Sequence, residues 1–137
     1  MAIPSKYRDR LLALCDGQLV LTIDVRDPCL LLYPLPEWEE IERKLSKLPS
    51  LNAPARRLQR LWIGHATECD LDTHGRILLP PLLRSHASLE KKSVLLGQGA
   101  RFEIWNEEVW NQRREQWLSE EVEGDIELPA ELQSLTF

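Results

Sequence analysis

One short stretch combines residue types that could do chemistry at close spacing: Asp72-Thr73-His74-Gly75-Arg76. Glycine at the fourth place allows the positive φ of a tight turn, and a carboxylate at the first place can accept hydrogen bonds from turn amides. Asp72 could also pair with Arg76 and hold its guanidinium plane against a phosphate or the O6 and N7 atoms of guanine. The residues alone leave a second interpretation open, which is an ordinary surface turn with an internal ion pair.

Further basic residues could contact phosphates. Lys6, Arg8 and Arg10 cluster near the amino terminus, and Arg84 occupies the matching place in the second half of the chain. A third group consists of Arg56, Arg57 and Arg60, which share one side of a predicted helix. We favour a solvated face for this group, or pairing with glutamates of a neighbouring helix or subunit, over DNA contact.

Metal binding and catalysis have little support in the sequence. His65, Cys69 and His74 are zinc-ligand types, but four ligands at short paired spacings are lacking. Asp72 and His74 could be imagined in a hydrolase, but a nucleophile elbow, a P-loop and a glycine-rich dinucleotide motif are all lacking. The sequence therefore predicts a protein that is not an enzyme and uses neither a metal nor a cofactor.

The composition is typical of a globular protein, with 43% hydrophobic and 28% charged residues among 137. Three dispersed cysteines favour a reducing cytoplasm, and neither a signal peptide nor an apolar run of membrane-spanning length is visible. The net charge of −5 argues against nucleic acid only at first sight, because the acidic excess is concentrated after residue 88. A basic surface elsewhere therefore remains compatible with the charge.

Hydrophobic patterns and turn residues predict a mixed α/β (α+β) chain. We expect helices at 37–48, 55–63, 80–89 and 106–118, and strands at 18–24, 29–33, 65–72, 76–80, 92–98 and 101–105. The strands at 65–72 and 76–80 would form a hairpin around the Thr73–Gly75 turn.

The two halves of the sequence resemble each other. Arg8 after Ile3-Pro4 recurs as Arg84 after Leu79-Pro80, and the Tyr33 and Trp38 pair recurs as Trp105 and Trp110. This spacing, about 72–76 residues, predicts a tandem duplication. We divide the chain into a first module at 1–48, a connector with the basic helix at 49–64, a second module at 65–120 and an acidic tail at 121–137.

Several motifs together closely resemble the MraZ family: "AIPSKYRDRL", "DPCLLLYPLPEWEEIE", "RRLQRL", "GHATECDLDTHGRILLPPLLR" and "LLGQGARFEIWNEEVW". The resemblance implies two tandem modules of the AbrB-like swapped-hairpin type around a shared small β-barrel core. It also implies a nucleoid-associated transcriptional regulator of the bacterial division and cell-wall gene cluster. Members of this family form homo-oligomeric rings and bind repeated promoter boxes in double-stranded DNA through an Asp-x-x-x-Arg motif in each module.

By position, Asp72 to Arg76 is the second Asp-x-x-x-Arg motif, and the first would lie before Met1. We therefore expect the natural protein to begin roughly 12–16 residues upstream, where an Asp-x-x-Gly-Arg sequence should be found. The alternative function is an oligomerisation or interaction module that is impaired in DNA binding because the first motif is missing.

Overall fold

A computed structural model describes residues 1–49, 51–90 and 92–122. The chain divides into two compact units, Met1–Glu107 and Glu108–Phe137, and the second is described only as far as its helix. The helices are α1 (Ser5–Cys15), α2 (Leu35–Ser46), α3 (Ala53–Trp62), α4 (Pro81–His86) and α5 (Glu107–Val122). The strands are β1 (Gln18–Ile23), β2 (Leu30–Pro34), β3 (Thr67–Asp70), β4 (Ser93–Gly97) and β5 (Phe102–Asn106).

The strands form one five-stranded sheet in the order β3-β1-β2-β5-β4, and every pair is antiparallel. The two halves of the sequence meet where β2 pairs with β5, and Leu30 lies opposite Ile104 there. The α+β class with two tandem modules is therefore confirmed, but the described strands form an open sheet and not the small β-barrel that the resemblance implies. Neither module has a sheet of its own, so the halves must fold together.

The central strands are buried on both faces, which explains why the sequence shows continuous apolar runs there rather than alternation. Leu21, Leu32 and Ile104 belong to the core on one face, together with Leu11 of α1 and Leu83 of α4. The opposite face carries a second, smaller core. Its fully buried members are Val20, Leu31, Tyr33 and Trp38.

Local signals set the ends of the helices, and the predicted helices at 37–48 and 55–63 are confirmed within two residues at each end. Helix α1 ends where Asp16 and Gly17 take left-handed conformations, and the Gly17 amide bonds the Leu11 carbonyl at 3.3 Å. Helix α2 begins with Pro36 in its first turn and buries Trp38 and Leu45 against the sheet. The predicted strand pairs at 18–24 with 29–33 and at 92–98 with 101–105 are confirmed within one or two residues at each end.

The predicted hairpin around the Thr73–Gly75 turn is wrong. Strand β3 ends at Asp70 and pairs with β1, and among the described residues the 76–80 segment pairs through a single β-bridge, between Arg76 and Ala2. Pro80 and Pro81 lack the amide hydrogens that a longer strand would require. The segment after the turn therefore pairs with the amino-terminal segment instead of folding back on β3.

The shared sheet predicts that truncating one residue at the junction destabilises both modules. Ile104 is fully buried, and we expect Ile104→Ala to lower the free energy of unfolding by about 2–5 kcal/mol. Leu78→Ala is the control, because Leu78 is 78% exposed. Urea unfolding followed by tryptophan fluorescence and circular dichroism should give one transition for each variant. Separate transitions for the two halves would contradict the shared core.

Candidate nucleic-acid interface

The turn at Asp72–Arg76 is closed by four hydrogen bonds. The Asp72 amide donates to the Arg76 carbonyl at 2.9 Å, and the Gly75 amide donates to the Asp72 carbonyl at 3.0 Å. The Asp72 carboxylate Oδ1 accepts from the amides of His74 at 2.8 Å and Arg76 at 2.9 Å. Gly75 has φ +72°, as the sequence predicts for the residue that reverses the chain.

Asp72 organises this turn through the backbone and leaves the arginine side chain accessible. The described residues include no carboxylate paired with the Arg76 guanidinium, so the ion-pair brace considered from the sequence is not formed. Arg76 is exposed, and its backbone is fixed on both sides of the residue. Because the backbone of the turn is already ordered, binding a ligand through Arg76 does not require it to lose further conformational entropy.

The same hydrogen bonds give the turn a pH dependence. The amide of Arg76 lowers the pKa of Asp72 from its usual value, and the amide of His74 adds to this. A carboxylate with a lowered native pKa stabilises the fold above its unfolded-state pKa and loses that effect as the pH falls through its native pKa. We expect Asp72→Asn to reduce the acid sensitivity of the turn.

This expectation can be checked by hydrogen exchange of the His74 and Arg76 amides at pH 7 and near pH 3. In the native chain these amides should lose protection on acidification, whereas in Asp72→Asn they should be less protected at pH 7 and change less. Asp9→Asn on the exposed side of α1 is the control. Equal acid dependence in the native chain and Asp72→Asn would assign the effect to another group.

The amino-terminal segment holds the far side of the turn. The Ile3 amide donates to the Gly75 carbonyl at 2.8 Å, and the Ile77 amide donates to the Met1 carbonyl at 2.8 Å. This role of Met1–Ile3 could not be predicted from the sequence, because the contact joins backbone groups and leaves no side-chain pattern. The first module therefore supports the turn of the second.

The other predicted contact residues differ in their surroundings. Lys6 and Arg10 are exposed on α1, and the Lys6 ammonium lies 4.8 Å from the centre of the Tyr7 ring. Arg8 is partly buried and donates from Nη2 to the Ile3 carbonyl at 2.9 Å. Arg84 on α4 makes the equivalent bond to the Leu79 carbonyl at 3.0 Å. Of these four side chains, Arg8 is in contact with the turn, through Gly75.

The basic face of α3 projects into solvent. Arg56, Arg57 and Arg60 are exposed, and within the described ranges none of them forms an ion pair. Leu58, Leu61 and Trp62 lie on the other side of the helix and are partly buried. The solvated interpretation from the sequence agrees with this geometry, and pairing with another subunit stays a prediction.

One group of potential metal ligands is present among the described residues, and it is not the one considered from the sequence. The ligand atoms of Asp24, Cys29 and Glu103 lie within 4.8 Å of one another. Burial raises the pKa of the Cys29 thiol, with the Glu103 and Asp24 carboxylates adding to the effect, so the thiol stays protonated and donates to Asp24 at 3.6 Å. Glu103 accepts from Trp105 Nε1 at 3.0 Å and faces Arg101 at 3.8 Å. Asp24, Cys29 and Glu103 therefore all have hydrogen-bond partners within the protein.

The zinc candidates considered from the sequence occupy different environments. Cys69 is buried on β3, where burial raises its pKa to about 12. The His65 Nδ1 lies 2.7 Å from the Leu61 carbonyl, and His74 is exposed in the turn. None of the described helices is both long and apolar enough to cross a membrane.

Fold and site together define a class: two tandem α+β modules sharing one sheet, with an arginine presented on a backbone-braced turn. The sequence model described as "MraZ protein, putative antitoxin-like" matches the chain twice, over residues 1–61 and 62–127. The chain belongs to the MraZ family. The double match agrees with the duplication deduced from the sequence, whereas the exact module boundaries stay a prediction.

Relatives from several bacteria are each named transcriptional regulator MraZ. The protein of Alkalilimnicola ehrlichii is 60% identical over 136 residues, which is 99% of this chain and 89% of the relative. The protein of Halorhodospira halophila is 59% identical over 98% of this chain and 89% of the relative. That of Legionella pneumophila is 52% identical over 99% and 90%. The chain is accordingly a transcriptional regulator and not an enzyme.

Proposed function

We propose that the chain regulates transcription by sequence-specific binding to double-stranded DNA, with the Asp72–Arg76 turn as its contact element. The observation that supports this most is the exposed guanidinium of Arg76 on a turn whose backbone is fixed by the Asp72 carboxylate. A planar, permanently charged group on a turn with a fixed backbone suits guanine edges in the major groove or a pair of phosphate oxygens.

The charge distribution supports a local rather than a global electrostatic attraction. The chain as a whole is acidic, so DNA must approach a face where cations outnumber carboxylates. Lys6 and Arg10 are exposed on α1, the helix that follows the segment paired with the turn. We propose these two residues as phosphate contacts, with Arg84 as an additional candidate on the equivalent helix of the second module.

A single turn offers few contacts, and we propose that the protein multiplies them by assembling into a homo-oligomeric ring. Several copies of Arg76 on one ring would meet boxes repeated at a fixed spacing in a promoter of the division and cell-wall gene cluster. Linked weak contacts raise the overall affinity without any new interaction. We place the regulator in the cytoplasm, associated with the nucleoid, because that is where its DNA lies.

Footprinting on the DNA upstream of the gene tests this proposal. Nuclease protection should extend over several repeated boxes at one protein concentration, and a fragment with one box should require a much higher concentration. Native mass spectrometry of the same sample should show a closed oligomer. A monomer that protects one box as well as several would overturn the ring, and uniform protection of any fragment would overturn sequence specificity.

A second candidate has one observation in its favour. Strand β1 has β3 on its outer side, whereas β4, its counterpart in the repeat, is the outer strand of the described sheet. An outer strand with unpaired backbone groups can pair with a second copy, and this favours an oligomerisation module. Mobility shifts with this chain and with one extended upstream would separate the two candidates. Equal binding would reject the impaired module, and binding by the extended chain alone would support it.

A further inference from the structure

Arg8 connects three parts of the structure at one point. Its Nη2 donates to the Ile3 carbonyl at 2.9 Å, and the Ile3 amide in turn donates to the Gly75 carbonyl at 2.8 Å. The rest of the guanidinium lies against Gly75, where a Cβ would overlap the Nε, Cζ and Cδ atoms of Arg8. The Nε atom is buried and lacks a hydrogen-bond partner among the described residues. Arg8 thus packs against the turn and holds the segment that pairs with it.

We infer that Arg8 is a positioning residue, which fixes the Asp72–Arg76 turn of the second module from helix α1 of the first. This inference rests on the proposed function and assigns Arg8 a role different from phosphate contact. A phosphate would have to compete with the Ile3 carbonyl for the guanidinium and would find Nε covered by the turn. The absence of a side chain on Gly75 is what lets the guanidinium approach the backbone so closely.

Arg84 provides a comparison within the same chain. It makes the equivalent bond to the Leu79 carbonyl at 3.0 Å, but it is exposed, and no described glycine lies against it. Both arginines therefore make the carbonyl bond, whereas of the two Arg8 contacts the Asp72–Arg76 turn. Replacing the two arginines one at a time separates the effect of the carbonyl bond from the effect of the contact with the Asp72–Arg76 turn.

Hydrogen exchange tests the positioning role without any DNA. In Arg8→Ala and Arg8→Lys, the amides of Ile3, Gly75 and Ile77 should exchange at least tenfold faster than in the native protein, while core amides of β2 stay protected. Arg84→Ala should leave these three amides unchanged. Native-like exchange in both Arg8 variants would overturn the inference, and Arg8→Lys carries the test if Arg8→Ala does not fold.

DNA binding then distinguishes positioning from direct contact. Lysine keeps the charge but not the planar fork, so a phosphate contact would survive in Arg8→Lys and a positioning role would not. We expect both Arg8 variants to bind at least tenfold more weakly than the native chain. Adding Arg8→Ala to Arg76→Ala should cause little further loss, since the positioned group is already gone. Full retention of binding in Arg8→Lys, or independent losses in the double variant, would overturn positioning.

The two readouts keep this inference separate from the proposed function. Fast exchange in the Arg8 variants together with no DNA binding by the native protein would support the structural role of Arg8 and reject the regulator proposal. Native-like exchange in the Arg8 variants together with strong DNA binding by the native protein would support the regulator proposal and reject the positioning role of Arg8.

Discussion

Replacing Arg76 by alanine is expected to weaken binding to the promoter fragment by about 5- to 150-fold, which corresponds to roughly 1–3 kcal/mol for one good arginine contact to a base. The side chain is exposed and forms no ion pair in the described structure, so its loss should leave the fold intact. In an oligomer that binds several boxes at once, the loss recurs at each box and the total effect is larger. Fluorescence anisotropy with a labelled fragment measures it.

Arg26→Ala is the matched control, because Arg26 is an exposed arginine outside the proposed interface and its removal changes the net charge equally. The two variants should melt within a few degrees of the native protein. If Arg76→Ala and Arg26→Ala lose the same small amount of affinity, Arg76 contributes only general charge and the turn is not the contact element.

Replacing Gly75 by alanine is expected to be the most damaging single change in the turn. A residue with a Cβ at φ +72° costs about 1–2 kcal/mol, and the Cβ also expels the Arg8 guanidinium from its site, breaking its bond to the Ile3 carbonyl. We expect a total loss of about 2–4 kcal/mol in the free energy of unfolding, together with strongly reduced DNA affinity. Urea denaturation and the anisotropy assay measure the two effects.

Gly99→Ala is a close control, because Gly99 has nearly the same φ, +69°, and no described atom lies within 4 Å of the position its Cβ would take. This variant should show the backbone strain alone. Truncating Arg8 in the Gly75→Ala background should restore part of the stability, since the displaced group is removed. Equal losses in Gly75→Ala and Gly99→Ala would show that the contact with Arg8 has no energetic consequence.

Much of the fold could be predicted because buried positions are recognisable in the sequence as apolar residues. Nearly every residue in the runs "LVLTI" and "LLLY" is apolar, so both faces of the sheet carry apolar side chains there. This pattern favours central strands. Helix α2 places Trp38 and Leu45 on one side and charged residues on the other. The duplication followed from the same positions, because equivalent side chains must fill equivalent places in the core.

The organisation of the candidate site could be predicted only in part. Asp72 and Gly75 were recognisable because turn chemistry is local and restricts residue type. The pairing of Gly75 with Ile3 joins backbone groups far apart in the sequence, and backbone groups are the same for nearly every residue. The role of Arg8 was missed for a related reason, since a count of positive charges does not show that a guanidinium is occupied by a carbonyl.

The proposal that this chain is a sequence-specific DNA-binding regulator can be tested by the salt dependence of its affinity for two DNA fragments. One fragment is the region upstream of its gene, and the other is a shuffled sequence of the same length and composition. We expect the native protein to bind the first at least about a thousandfold more tightly, with affinity for both falling linearly in log–log form as salt rises. Equal affinity for the two fragments, or no salt-dependent binding to either, would contradict the claim.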